Sequence, residues 1–164
     1  MRNKLSIVID CNGFDKFLDL KKDNFNGYIK ILNCENLHFI STVAIRQEIG
    51  HTSQDIKRNE LLEVYNEVVR ECVNNSTFPK HKNGTGGLGF PVSFFESRNN
   101  DIAQSTARNG KPNFVDSELY DICISKSCSL FTGDKQLKEA IKKTDENILI
   151  YSDVREILLL LTEL

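Results

Sequence analysis

Apolar runs alternate along the chain with stretches whose apolar residues recur at helical spacing. Leu5-Ser-Ile-Val-Ile-Asp10 is β-branched and free of internal breakers, which predicts a buried strand over 5–10. Asn12-Gly13 turns the chain into a short helix marked by Phe14, Phe17 and Leu18. Phe25, Tyr28, Ile29 and Leu32 mark a second helix over 24–33. Leu37-His-Phe-Ile40 predicts another strand, and Ser41 or Thr42 caps the helix that carries Glu48.

From 54 to 75 the positions Leu61, Tyr65, Val68 and Cys72 fall at i, i+4, i+7 and i+11, one stripe of a long amphipathic helix. Pro79, Gly84, Gly86, Gly87, Gly89 and Pro91 interrupt this pattern across 76–98. A loop of that length inside a compact fold is commonly functional or mobile. A helix over 99–108 should end before Asn109-Gly110. Then come a helix at 116–127, a strand at 129–132, a helix at 134–143, a strand at 147–151 and a last helix from 153, capped by Ser152 or Asp153 with Glu156. Strands alternating with helices predict a three-layer α/β/α fold with a mainly parallel central sheet. The expected organisation is one domain over 1–164, enlarged by a helix-plus-loop segment at about 51–115.

The composition adds only boundaries. At 164 residues, 40% apolar and 27% charged, the chain has the make-up of a soluble globular protein. No apolar stretch is long enough to span a membrane, and an acid stands where the core of a signal peptide would continue, so a cytoplasmic location is expected. The five cysteines form no CxxC pair, which argues against zinc ribbons and disulfide frameworks. A net charge of −2 neither advertises nor forbids nucleic-acid binding, because phosphate affinity follows local patches and bound metal. The basic patches are Lys80-His-Lys82, Arg108 with Lys111, and Lys135, Lys138, Lys142 and Lys143.

Four acids change the picture. Asp10 ends the first apolar run, Glu48 lies in the helix after the second, Asp116 opens a helix, and Asp134 follows the run Ser129-Leu-Phe-Thr-Gly. Ligands of open parallel sheets sit beyond the carboxyl ends of the strands, where these acids would gather. Carboxylates at such positions repel one another unless a hard, oxygen-seeking divalent cation offsets the charge. Taken singly, each has a structural alternative: Asp10, Asp116 and Asp134 as helix caps, and Glu48 as an exposed acid paired with Arg46 or a lysine elsewhere.

Asp10-Cys-Asn12, Glu48 in its helix, Asp116 at a helix start and Thr132-Gly-Asp134 at a strand end together resemble the PIN-domain nuclease family over nearly the whole chain. The resemblance implies a Mg2+- or Mn2+-dependent phosphodiesterase, an endoribonuclease in a toxin–antitoxin, defence or RNA-processing role, with DNA left open as an alternative to RNA. Asp10, Glu48, Asp116 and Asp134 would then be catalytic metal ligands, directly or through water. Asn12 and Thr132 would orient the carboxylates, and Lys80, Lys82 and Lys135 would contact substrate backbone. An antitoxin or other protein partner belongs to the same expectation, and leftover apolar helix faces leave room for a homodimer. The enlarged segment between Glu48 and Asp116 departs from compact members of the family and leaves substrate choice open.

Other readings carry less. Gly84-Thr-Gly-Gly-Leu-Gly89 matches GxGxxG, but lacks the strand before it and the helix after it that a dinucleotide site requires. His38, His51 and His81 have no zinc spacing. An aspartate-based phosphatase would want a second aspartate at position 12, where Asn12 stands. A non-catalytic PIN-like module binding RNA or protein is the remaining alternative.

Overall fold

In the computed structural model, residues 4–74 and 101–164 are described. The β-branched first run forms β1 (Leu5–Ile9), and its last three residues are fully buried. Asp10 then starts α1 (Cys11–Asp23), and Asn24 caps α2 (Phe25–Leu32) by accepting from Gly27 N at 3.0 Å. β2 (Leu37–Thr42) runs directly into α3 (Val43–Gly50), where Thr42 Oγ1 accepts from Ile45 N at 3.0 Å. Thr42 is therefore the cap, and the strand extends through the serine that competed for that role.

The helix expected to reach residue 75 ends earlier. α4 spans Asp55–Val68, Val69 turns to extended backbone, and Glu71–Val73 form a strand, β3. Cys72 continued the helical stripe only by coincidence of spacing. The open edge of β2 competes for the same residues, and Val69 and Val73 favour extended backbone. Arg70 N already donates to Phe39 O at 2.9 Å, before the pairing of Ile40, Ser41 and Thr42 with Glu71, Cys72 and Val73.

After a helical segment at 101–105, the chain makes a tight hairpin across Asn109-Gly110 and enters α5 (Phe114–Lys126). Then follow β4 (Ser129–Phe131), α6 (Lys135–Thr144), β5 (Ile150–Tyr151) and α7 (Val154–Leu160). Asp153 is the cap of α7, in a capping box with Glu156. The Gly-rich stretch 79–91, with Lys80 and Lys82, lies outside the described residues.

The five strands form one sheet in the order β3-β2-β1-β4-β5, and every pairing is parallel. Helices complete a three-layer α/β/α arrangement. α1 packs against α2, α3 and α4, while α5 lies against β1 and β4. Phe17 sits between Phe39 and Phe131 with edge-on ring contacts at 5.5 and 5.4 Å, tying α1 to the sheet. Gly13 permits this approach, because a Cβ there would stand 2.7 Å from Ile9 Cγ2 and 2.9 Å from Phe131 Cδ1. β2 and β3 extend the sheet on one side of β1, and β4 and β5 on the other. The order thus reverses between β1 and β4, and a crevice opens beyond the carboxyl ends of those two strands.

No helix among the described residues is long and apolar enough to cross a membrane.

Candidate metal centre

The crevice is built first by β1 and β4. Asp10 N donates to Phe131 O at 3.0 Å, so the two strand ends leave the sheet together. The Asp10 carboxylate is buried. Its Oδ1 accepts from Cys11 N at 2.6 Å and its Oδ2 from the Thr132 hydroxyl at 2.7 Å. That hydroxyl also accepts from Asp134 N at 3.1 Å, and Asn12 Oδ1 accepts from Gly133 N at 2.8 Å. Asn12 and Thr132 therefore fasten the β4–α6 turn to the start of α1. Neither needs a ligand to explain it.

α5 brings the next acid. Asp116 was expected to open this helix, yet Asn113 does so, its Oδ1 accepting from Asp116 N at 3.2 Å. Asp116 is the third residue of the helix, which releases its carboxylate from capping. One of its oxygens, Oδ2, is buried without a hydrogen-bond partner among the described residues. Buried carboxylate oxygens are rarely left so.

A hollow of about 180 Å³ is lined by Asp10, Glu48 and Asp116, together with Asp15, Arg108 and neighbouring side chains. Three of the four predicted acids, from a strand end and two helices, thus border one space. Glu48 is solvent-exposed on α3. Asp134 does not line the hollow, but Asp10 and Asp116 both sense its charge. Its Oδ1 caps α6, accepting from Gln136 N at 2.8 Å and Leu137 N at 3.2 Å, while Oδ2 pairs with Arg108 Nη2 at 3.2 Å. The capping roles considered for Asp10 and Asp134 are real. They coexist with the convergence. Lys135, the first residue of α6, is exposed and does not border the hollow.

The electrostatics follow from burial and crowding. Burial raises the Asp10 pKa above the ordinary range, and Glu48 and Asp134 add to the rise, against the Thr132 and Cys11 hydrogen bonds. Asp116 is pushed up to about 7 by burial first and by the charge of Asp10 second, with Asp134 adding and Thr106 and Arg108 opposing. Burial and Glu48 likewise push the Cys11 thiol up to about 12, which leaves it a neutral wall group. Carboxylates with raised pKa values in a cleft make a candidate functional site.

Among the described residues, no three His, Cys, Asp or Glu side chains stand close enough together to hold an ion as placed. The donors are nonetheless all carboxylate oxygens, one of them orphaned. That set suits a hard divalent cation that keeps several of its waters and needs few direct protein ligands.

The sequence reading did not single out Asp15, Asn113 or the Arg108–Asp134 pair. Asp15 follows Cys11 by four residues on α1, a spacing that puts both on one helix face, and it is paired with Lys57 at 2.8 Å. Asn113 precedes Asp116 by three residues, the spacing of a helix cap. Arg108 carried no stronger signal than its place beside a basic neighbour.

Compared with models of known protein families and with curated proteins, the chain matches none.

Proposed function

We propose that this protein is a PIN-like, metal-dependent nuclease that hydrolyses phosphodiester bonds, with RNA as its preferred substrate. The observation that carries the reading is the meeting of Asp10, Glu48 and Asp116 around one hollow at the reversal of strand order, with Asp134 within electrostatic reach. Asp10, Glu48, Asp116 and Asp134 would hold Mg2+ or Mn2+, directly or through water. When bound, the cation supplies Lewis acidity toward a phosphodiester oxygen and offsets the charge that develops on it.

The chain's own residues do the positioning. Cys11 N and the Thr132 hydroxyl fix both oxygens of Asp10, so the carboxylate presents its remaining lone pairs in a set direction. Asn12 and Thr132 hold the turn that carries Asp134. The aspartate-based phosphatase is disfavoured. Its second acid would stand at position 12, where the Asn12 oxygen is instead committed to Gly133 N. A toxin, defence or processing role, and an antitoxin partner, would each fit this chemistry equally.

The test is cleavage of single-stranded and structured RNA, with DNA alongside, by the wild type and by Asp10→Asn and Asp116→Asn variants. Cleavage in Mg2+ or Mn2+, lost in EDTA and in both variants, is the expected result. Cleavage that persists in EDTA, or equal cleavage by the variants, contradicts the mechanism. A variant that keeps its biological effect without any cleavage favours the non-catalytic module.

A further inference from the structure

A hollow walled by Asp10, Asp15, Glu48 and Asp116 repels a polyanion. Among the described residues that line it, Arg108 is the one cation. We infer that Arg108 is the side chain that takes the substrate phosphate, and that its pairing with Asp134 sets it in competition with a divalent cation for the same carboxylate oxygen. The inference rests on the nuclease reading and adds to it a substrate-binding residue.

The backbone beneath Arg108 is fixed. Arg108 N donates to Lys111 O at 3.0 Å and Lys111 N to Arg108 O at 2.9 Å, closing a hairpin. Asn109 and Gly110 between them have φ of 52° and 73°, the left-handed pair that a tight hairpin turn needs. Gln136 Nε2 donates to Ser105 O at 2.7 Å, and Asn113 N donates to Ala103 O at 2.9 Å, so α6 and the start of α5 brace both flanks.

The side chain, by contrast, is held lightly. The Arg108 side chain is 68% exposed and meets Asp134 through a single nitrogen. Asp134 has no second oxygen to offer, because Oδ1 caps α6. An exposed one-point ion pair is weak, whereas a phosphate can engage the guanidinium through two parallel hydrogen bonds. The geometry gives Arg108 a braced backbone, an exposed side chain and a one-nitrogen contact to its partner Asp134.

Competition with a cation makes the two consequences opposite in sign. Arg108→Ala should bind Mn2+ several-fold more tightly by calorimetry without nucleic acid, because a positive charge and a rival for Asp134 Oδ2 are gone. The same variant should raise KM for a single-stranded RNA in saturating Mg2+ by about tenfold, with kcat changed little, the pattern of lost binding to substrate and transition state alike. Arg108→Lys, which keeps the charge but not the fork, should fall between. An unchanged KM, or Mn2+ affinity that falls in Arg108→Ala, overturns the assignment while leaving the nuclease reading intact. A wild type that cleaves no RNA in Mg2+ or Mn2+ removes the nuclease reading and this assignment with it.

Discussion

At Asp116 burial sets the chemistry. The carboxylate prefers its proton until about pH 7, whereas in the unfolded chain it would ionise near the ordinary aspartate value of 3.8. The folded protein therefore binds more protons between those values, and without a cation its stability falls as pH rises through that window. Asp116→Asn removes the buried charge. Its melting temperature should exceed the wild type's at about pH 8, by roughly 1–3 kcal/mol of stability, and match it at about pH 4. An equal melting temperature at the higher pH would contradict the proposed burial of this charge. Thr132 acts by hydrogen bonding instead, as donor to Asp10 and acceptor from Asp134 N. Thr132→Val should cost about 1–3 kcal/mol in denaturant unfolding, and Thr132→Ser should recover most of it. The positions of Asp10 and Thr132 were legible in the sequence because each directly follows a strand, whereas Asn12 lies in α1 and accepts from Gly133 N rather than orienting a carboxylate. Arg108 was not legible, since nothing local announces that residue 108 meets residue 134.

Whether a segment becomes helix or strand depended on how strongly its local pattern excluded competitors. β1 was legible because its β-branched run agrees with its buried surroundings, whereas Asn12-Gly13, read as the turn before a helix, lies inside α1 behind the Asp10 cap. The end of α4 was not legible. Its helical stripe runs on to Cys72, but the exposed edge of β2 draws Glu71–Val73 into the sheet. Asp116 was misassigned as a helix opener because Asn113, three residues earlier and an equally good cap, accepts from Asp116 N and starts the helix. The contact between α1 and the sheet gives a prediction of its own. Gly13→Ala would set a Cβ 2.7 Å from Ile9 Cγ2 and 2.9 Å from Phe131 Cδ1, both fully buried neighbours. Overpacking of this kind should cost about 1–3 kcal/mol in denaturant unfolding, and shifting α1 should also weaken cation binding by displacing Asp10. Unchanged stability would mean that α1 and the sheet adjust more freely than their packing implies.

On the scale of the molecule, the alternation of strands and helices was enough to anticipate a layered α/β fold. The strand order was not written in any segment. It comes from β4 returning to pair with β1, on the side opposite β2, through contacts more than a hundred residues apart. That return creates the crevice in which Asp10, Glu48 and Asp116 converge, and on which the proposed nuclease rests. Binding of a divalent cation should also follow the charge of the hollow: affinity should fall as pH drops below about 7 and Asp116 takes up its proton. Calorimetric titration of Mn2+ into the wild type and into an Asp10→Asn/Asp116→Asn double variant, at about pH 8, tests the convergence most directly. The expected result is saturable binding by the wild type that the double variant loses. No binding to the wild type, or the same binding by both proteins, would contradict it.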